Sequence, residues 1–146
     1  MNNSKLRIIL FCFVLLAALI GGFVWYNANI SERRPSEQEI TQVLNAKTGE
    51  GKTVGFAIET YLYDHGDRFP QAGTWREEIK PYLDPELQET LSAYEYSPAM
   101  SGKKFGEAGW VSETIVLRRT EGLPKGYVIQ VYADSHVECV RLPLDK

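Results

Sequence analysis

The side chains of this sequence best suited to chemistry are its only two histidines, His65 and His136, with the acidic and thiol groups near them, Asp64, Asp67, Asp134 and Cys139. Histidine, cysteine and carboxylate together form the ligand set of zinc, and carboxylates alone suit calcium. The spacing works against a local zinc site, because His136 and Cys139 stand three apart in a stretch that reads as a strand and so project to opposite faces. Asp64 and Asp67 read more simply as a helix-end turn, where aspartate bonds the nearby backbone. A second pattern, Ala46-Lys47-Thr48-Gly49-Glu50-Gly51-Lys52-Thr53, satisfies a phosphate-loop spacing if alanine is allowed at its first position. Such a loop must follow a buried strand, whereas residues 37–45 read as a polar, capped helix, and the remaining chain is too short for the parallel sheet of a nucleotide hydrolase. For covalent catalysis there is no Gly-x-Ser-x-Gly elbow and no cysteine with a base nearby in sequence. No catalytic, cofactor-binding or metal-ligating residue is therefore assigned, and the expectation is a non-enzymatic protein that binds neither nucleotide nor zinc.

The elements that carry these residues divide into two parts. A length of 146 residues suits one domain. The 44% apolar content is unevenly placed: residues 8–26 form a 19-residue stretch without a charge, 17 of them apolar. At 1.5 Å per residue, residues 6–26 are long enough to cross a hydrocarbon core of about 30 Å as a helix. Lys5 and Arg7 precede this stretch, and Trp25 and Tyr26 close it with interface-preferring rings. The expectation is a cytoplasmic amino terminus, a single-pass anchor over residues 1–26 in the inner membrane, and an extracytoplasmic domain, with the lipid bilayer as a partner. A cleaved signal peptide is the alternative, but its apolar core is usually shorter, and a cut after Ala28 would place Tyr26 where a small residue is needed. Without Lys5 and Arg7, acidic residues outnumber basic ones by five, which disfavours nucleic acid as a partner. Cys12 lies within the apolar stretch and Cys139 near the carboxy terminus, so the two are not expected to bridge.

Beyond a polar linker over residues 27–35, residues 36–146 read as one α+β domain. Ser36 with Glu39 matches a capping box. Ile40, Val43 and Leu44 continue one helical face. Gly49 and Gly51 should weaken that helix into a flexible hinge, each costing about 1 kcal/mol relative to alanine. The helical period then returns in Val54, Ala57, Ile58, Tyr61 and Leu62, and it ends at Asp64-His65-Gly66, with Gly66 in the left-handed conformation. Thr74 with Glu77 reads as a second capping box opening a short helix, and Asp84-Pro85 as the N-cap and first residue of a third. Residues 93–97, 111–119 and 127–142 are rich in β-branched and aromatic residues and read as strands. Asp134-Ser135 reads as a two-residue hairpin turn that pairs Ala133 with His136, Val131 with Glu138 and Ile129 with Val140. Trp75, Trp110, Tyr82, Tyr94 and Tyr96 read as core packing under the sheet.

The segment from Tyr61 to Pro70, Tyr61-Leu62-Tyr63-Asp64-His65-Gly66-Asp67-Arg68-Phe69-Pro70, resembles with one extra residue the Y-x-x-D-x-G-x-x-P segment of the prepilin-like and pseudopilin proteins of type IV pili and type II secretion. Trp75 before Pro81-Tyr82-Leu83, then Tyr96-Ser97-Pro98, then Tyr132-Ala133-Asp134-Ser135-His136-Val137 follow in the order of a branch of the same family. The resemblance implies a hydrophobic amino-terminal helix leading into a globular domain with a small antiparallel sheet. It also implies a structural or assembly role in protein transport, alongside other pseudopilin-like or secretion-system proteins. Calcium enters only through the resemblance, since some pseudopilins bind it in carboxy-terminal loops. Prepilins carry a glycine before their cleavage point and a glutamate five residues into the helix. Neither stands at the start of residues 6–26, so the chain is expected to remain unprocessed. The reading in a different class is a membrane-tethered extracytoplasmic binding module outside any filament system.

Overall fold

Helix α1 runs without a break from Glu37 to Asp64, starting one residue after Ser36, with Glu37 and Glu39 complementing the positive end of its dipole. The computed structural model describes Gly21 and residues 35–143, and the residues from Glu37 onward form one compact unit. Among these described residues no helix is long and apolar enough to cross a membrane. The expected span over residues 6–26, Gly21 apart, and the linker residues before Pro35 lie outside them.

The expected hinge at Gly49 and Gly51 is not present, because the helix passes through both glycines and through Gly55. Packing explains why. A Cβ at Gly51 would meet Ile129 Cγ2 and Val137 Cγ1, each at 3.2 Å. At Gly55 it would meet Val131 Cγ1 at 3.1 Å and the Ser135 carbonyl at 3.2 Å. Four residues apart, these two glycines lie on one face of α1 and form a notch into which the sheet fits. Contact with the sheet thus outweighs the glycine helix penalty. The rest of that face, Val54, Ala57, Ile58, Tyr61 and Leu62, is buried as its periodicity predicts. The helix ends with the Asp67 N–H donating to the Leu62 carbonyl at 2.8 Å, the six-to-one bond of a Schellman end, with Gly66 at φ 64°.

The short helices follow in the expected places. Helix α2 spans Trp75–Ile79 and runs into a 3₁₀ turn over Lys80–Tyr82. Helix α3 spans Pro85–Gln88, with Asp84 at its N-cap and proline first. The capping box expected from Thr74 and Glu77 does not form. The Thr74 hydroxyl instead donates to the Glu78 carboxylate, and Glu77 pairs with Lys80.

Four strands, β1 (Tyr94–Tyr96), β2 (Ile115–Arg119), β3 (Tyr127–Tyr132) and β4 (Val137–Arg141), form an antiparallel meander in the order β1-β2-β3-β4. The architecture is α+β, as expected. Strand β2 starts later than predicted because Thr114 Oγ1 donates to the carbonyls of Ala108 and Trp110, folding the preceding residues into a turn. A bulge between Ile115 and Leu117 breaks the alternation of β2, so Val116 and Leu117 are both buried in the core. Trp75 stacks on Tyr96 beneath the sheet, with Tyr94 and half-buried Tyr82 nearby in sequence as core groups. Trp110 departs from that expectation: it is 80% exposed.

The hairpin register is one residue off the expected one. Val131 pairs with Val137, Gln130 with Glu138 and Ile129 with Cys139. A two-residue type I′ turn needs positive φ at both central positions. Only Ser135, at φ 66°, has it; Asp134 does not. The loop is therefore three residues, Ala133-Asp134-Ser135, closed by Tyr132 N–H to the His136 carbonyl at 2.9 Å, with Ser135 in the left-handed position. The one-residue shift puts Val137 rather than Glu138 on the side of β4 that faces α1.

The notch sets opposite expectations for two glycines of one helix. Gly49 has nothing within 4 Å of its would-be Cβ. Gly49→Ala should stabilise the domain by about 1 kcal/mol through helix propensity. Gly55→Leu should destabilise it by about 1–3 kcal/mol or more through overpacking against β3 and the hairpin. Chemical denaturation of both variants checks the pair; equal responses would contradict the notch.

Candidate functional site

Three polar clusters and a groove stand out among the described residues, and each can be built from the elements that hold it. The first ties α1 to the sheet. Arg119, on β2, reaches the Glu50 carboxylate of α1 at 2.5 Å, and Lys47, one helical turn earlier, reaches the other carboxylate oxygen at 2.6 Å. The Arg119 side chain is only 6% exposed. Its guanidinium also donates to the Glu121 carbonyl and lies 5.2 Å from the centre of the Tyr94 ring. Burial alone would raise the proton affinity of Glu50, but hydrogen bonds from Lys47 and Arg119 outweigh it and hold the carboxyl below its ordinary value of 4.5. The Tyr94 hydroxyl is buried without a hydrogen-bond partner among the described residues, and burial pushes its ionisation up.

The second cluster closes the carboxy-terminal end of α1. Glu78 of α2 accepts from Tyr61 Oη at 2.5 Å, from the Thr74 hydroxyl and from the Gln71 N–H at 3.4 Å. Burial of Glu78 works against ionisation, but the Thr74 and Tyr61 bonds prevail and its proton affinity is lowered. Tyr61 is pushed up to about 12 by its burial and by the Glu78 carboxylate, so the phenol stays protonated and donates. His65 stacks on the Tyr61 ring at 3.9 Å, and Tyr82 donates to Asp64 at 3.0 Å. The third cluster surrounds the hairpin: Asp134 meets His136 Nδ1 at 2.5 Å, His136 stacks on Tyr132, and the Tyr132 hydroxyl bonds Gln130 and Glu138. Burial opposes Asp134 ionisation, but its bonds with His136 together outweigh it and lower its proton affinity.

Apart from the Tyr94 hydroxyl, the polar groups of these clusters bond one another. Their carboxylates are taken up by neighbouring donors, and their phenols are held protonated. Of the residues singled out in sequence, Asp64 and His65 go to the end of α1, and Asp134 and His136 to the hairpin, while Cys139 lies exposed on β4. Among the described residues no three histidine, cysteine or carboxylate groups converge to hold a metal ion. The stretch resembling a phosphate loop, Ala46 to Thr53, is helical throughout, so its N–H groups run along the axis and cannot wrap a phosphate.

The groove has a volume of about 360 Å³ and follows β1 and β2, lined by Glu95, Ser97, Pro98 and Arg118 among others. Glu95 and Arg118 stand opposite one another across the two strands. Neither makes an ion pair among the described residues. Sequence reasoning missed this pair, because the partners are 23 positions apart and only the register of β1 on β2 brings them together. It also missed Arg119 with Glu50, separated by 69 positions. Comparison of the chain with protein-family models, with curated proteins and with solved structures returned no match.

The Glu50 ion pair carries a definite pH dependence. A carboxyl whose proton affinity is lower in the folded than in the unfolded chain stabilises the fold above its unfolded value and loses that contribution as the pH falls. At neutral pH, Glu50→Gln should cost about 1–3 kcal/mol, the range for a hydrogen-bonded charged group. The difference from the unsubstituted chain should persist down to the ordinary value of 4.5 and shrink below it. Denaturation midpoints of both proteins measured across this range check it; a gap that widens in acid would contradict the assignment.

Proposed function

We propose that this protein is a membrane-anchored, non-catalytic structural or assembly component of pseudopilin-like build, with its α+β domain outside the cytoplasm. The observation that carries the reading is the order of elements: a 28-residue helix that leads, after a charge-free run at residues 8–26, into a four-stranded antiparallel meander packed on one face of that helix. The landmarks of the resemblance fall at structural corners of this arrangement. Tyr61 to Pro70 turns the chain at the end of α1, Tyr96-Ser97-Pro98 ends β1, and Tyr132 to Val137 forms the last hairpin. The hydrogen-bond clusters fit a component that holds shape rather than one that turns over substrate. Lys5 and Arg7 before the apolar run support a cytoplasmic amino terminus.

A second reading, a membrane-tethered binding module, draws on one feature, the groove where Glu95 and Arg118 stand opposite each other without an ion pair. Its occupant would carry both a cationic and an anionic group.

The reading is tested by topology and by company. A reporter enzyme that matures only outside the cytoplasm, fused after Lys146, should be active, and activity of a cytoplasm-only reporter at that position would overturn the localisation. Extracted from native membranes in mild detergent, the chain should bring other pseudopilin-like or secretion-system proteins with it; repeated isolation without them would overturn the assembly role.

A further inference from the structure

Strand β4 is the last of its sheet, and nothing among the described residues pairs with its outer side. The direction of its backbone groups follows from two bonds: Tyr132 N–H donates to the His136 carbonyl, and Leu142 N–H to the Gly126 carbonyl. His136 and Leu142 therefore turn inward. By the two-residue alternation so do Glu138 and Val140. Val137, Cys139 and Arg141 then point their N–H and C=O groups away from the sheet, three donor and acceptor pairs in a row. The strand has no bulge in its pairing with β3 and no proline, two of the usual devices that block an edge. The opposite edge differs: β1 is three residues long, and Arg76 Nη2 covers it by donating to the Tyr94 carbonyl at 2.7 Å.

We infer that β4 is a self-association edge, on which a second copy of this chain pairs antiparallel through its own β4 to make a continuous eight-stranded sheet. The outward groups are symmetric about Cys139. A two-fold axis there sets Cys139 opposite Cys139 and Val137 opposite Arg141 of the other copy, and every outward N–H meets a carbonyl. The helix supplies an independent check on this occupant. Gly51 lies against Ile129 of β3 and Val137 of β4, so α1 rides over the seam between these two strands. With strands about 4.8 Å apart, the two seams, and so the two helices, stand about 10 Å apart across the axis. That is the upper end of ordinary helix packing, at 8–10 Å. A second copy therefore completes the strand ladder and the helix layer together, which a single added peptide strand does not. The axis is perpendicular to the sheet, so the two helices lie on one face of it and run antiparallel, and the pairing rests on residues 37–143 alone.

Cys139 reports the geometry. Residues directly opposite in a hydrogen-bonded antiparallel pair have Cα atoms about 5.5 Å apart, within disulfide range. The test uses the full chain in mild detergent with Cys12→Ser, leaving Cys139 as its only thiol. Light scattering should give the mass of two chains, and oxidation by dioxygen with copper–phenanthroline should link them through Cys139. Arg141→Pro removes two symmetry-related outward N–H donors and uses no bond of the internal ladder. It should keep the circular dichroism of its parent, and its melting temperature at concentrations where both are monomeric, weaken dimerisation about tenfold or more, and slow the cross-link in proportion. A monomer at every concentration, or a cross-link equally fast in Arg141→Pro, would overturn the inference. If Arg141→Pro unfolds, Cys139→Ser serves as the second variant: it must still dimerise without cross-linking, and a monomer there overturns the pairing as well.

Discussion

The close approach between α1 and the sheet at Gly51 and Gly55 governs the rest of the structure. With 3.1–3.2 Å from each would-be Cβ to atoms of β3, β4 and the hairpin, even a methyl group at those two positions needs its neighbours to give way by a few tenths of an ångström, and a larger side chain would press the helix away from the sheet. Seated in that notch, α1 buries Val54, Ala57, Ile58, Tyr61 and Leu62, and it brings Glu50 within 2.5 Å of Arg119. The same seating sets Ser135 Oγ against the Gly55 carbonyl at 3.3 Å, which pins the hairpin whose loop fixes the register of β4. Helix position, ion pair and strand register are thus consequences of two missing side chains.

Much of the local structure was legible in sequence because it depends on short-range rules. The buried face of α1, its end at Gly66, the proline start of α3 and the location of the last three strands follow from periodicity, left-handed glycine and fixed proline φ. The hinge expected at Gly49 and Gly51 does not form, because propensity counts the cost of each glycine and not the contact that Gly51 gains with Ile129 and Val137; at Gly49 nothing approaches and only the cost remains. A signal was present: Gly51 and Gly55 lie on the stripe that continues through Val54, Ile58 and Leu62, a place where a small residue often marks contact rather than weakness. The hairpin was located but read one residue out of register, since Asp-Ser suits both a two-residue turn and a three-residue loop with left-handed Ser135. The choice between them is made by α1 packing on Val137.

Side-chain chemistry was the least legible level. Thr74 chose Glu78 over Glu77, and Tyr61 joined the same carboxylate from 17 positions away. Those pairings are set by how α2 docks against the end of α1, which no spacing rule encodes. Trp110 shows the converse case, an aromatic residue counted with the core that the Thr114 turn carries to the surface. What the described surface offers to a partner is therefore found in the unpaired charges of the β1–β2 groove and in the uncovered edge of β4. The carboxylates of the polar clusters that hold the helices in place are already taken up by neighbouring donors.

Native-state hydrogen exchange tests the central claim most directly. If the glycine notch locks helix to sheet, the amides of Val54 to Leu62 and those of β3 should share the slowest exchange and open as one unit at the global unfolding free energy. Exchange should become faster only towards the first turns of α1, whose residues are mostly exposed. Should the helix beyond Gly49 open well before β3, with its own smaller free energy, the two glycines would be a hinge after all, and the notch would not be what holds helix and sheet together.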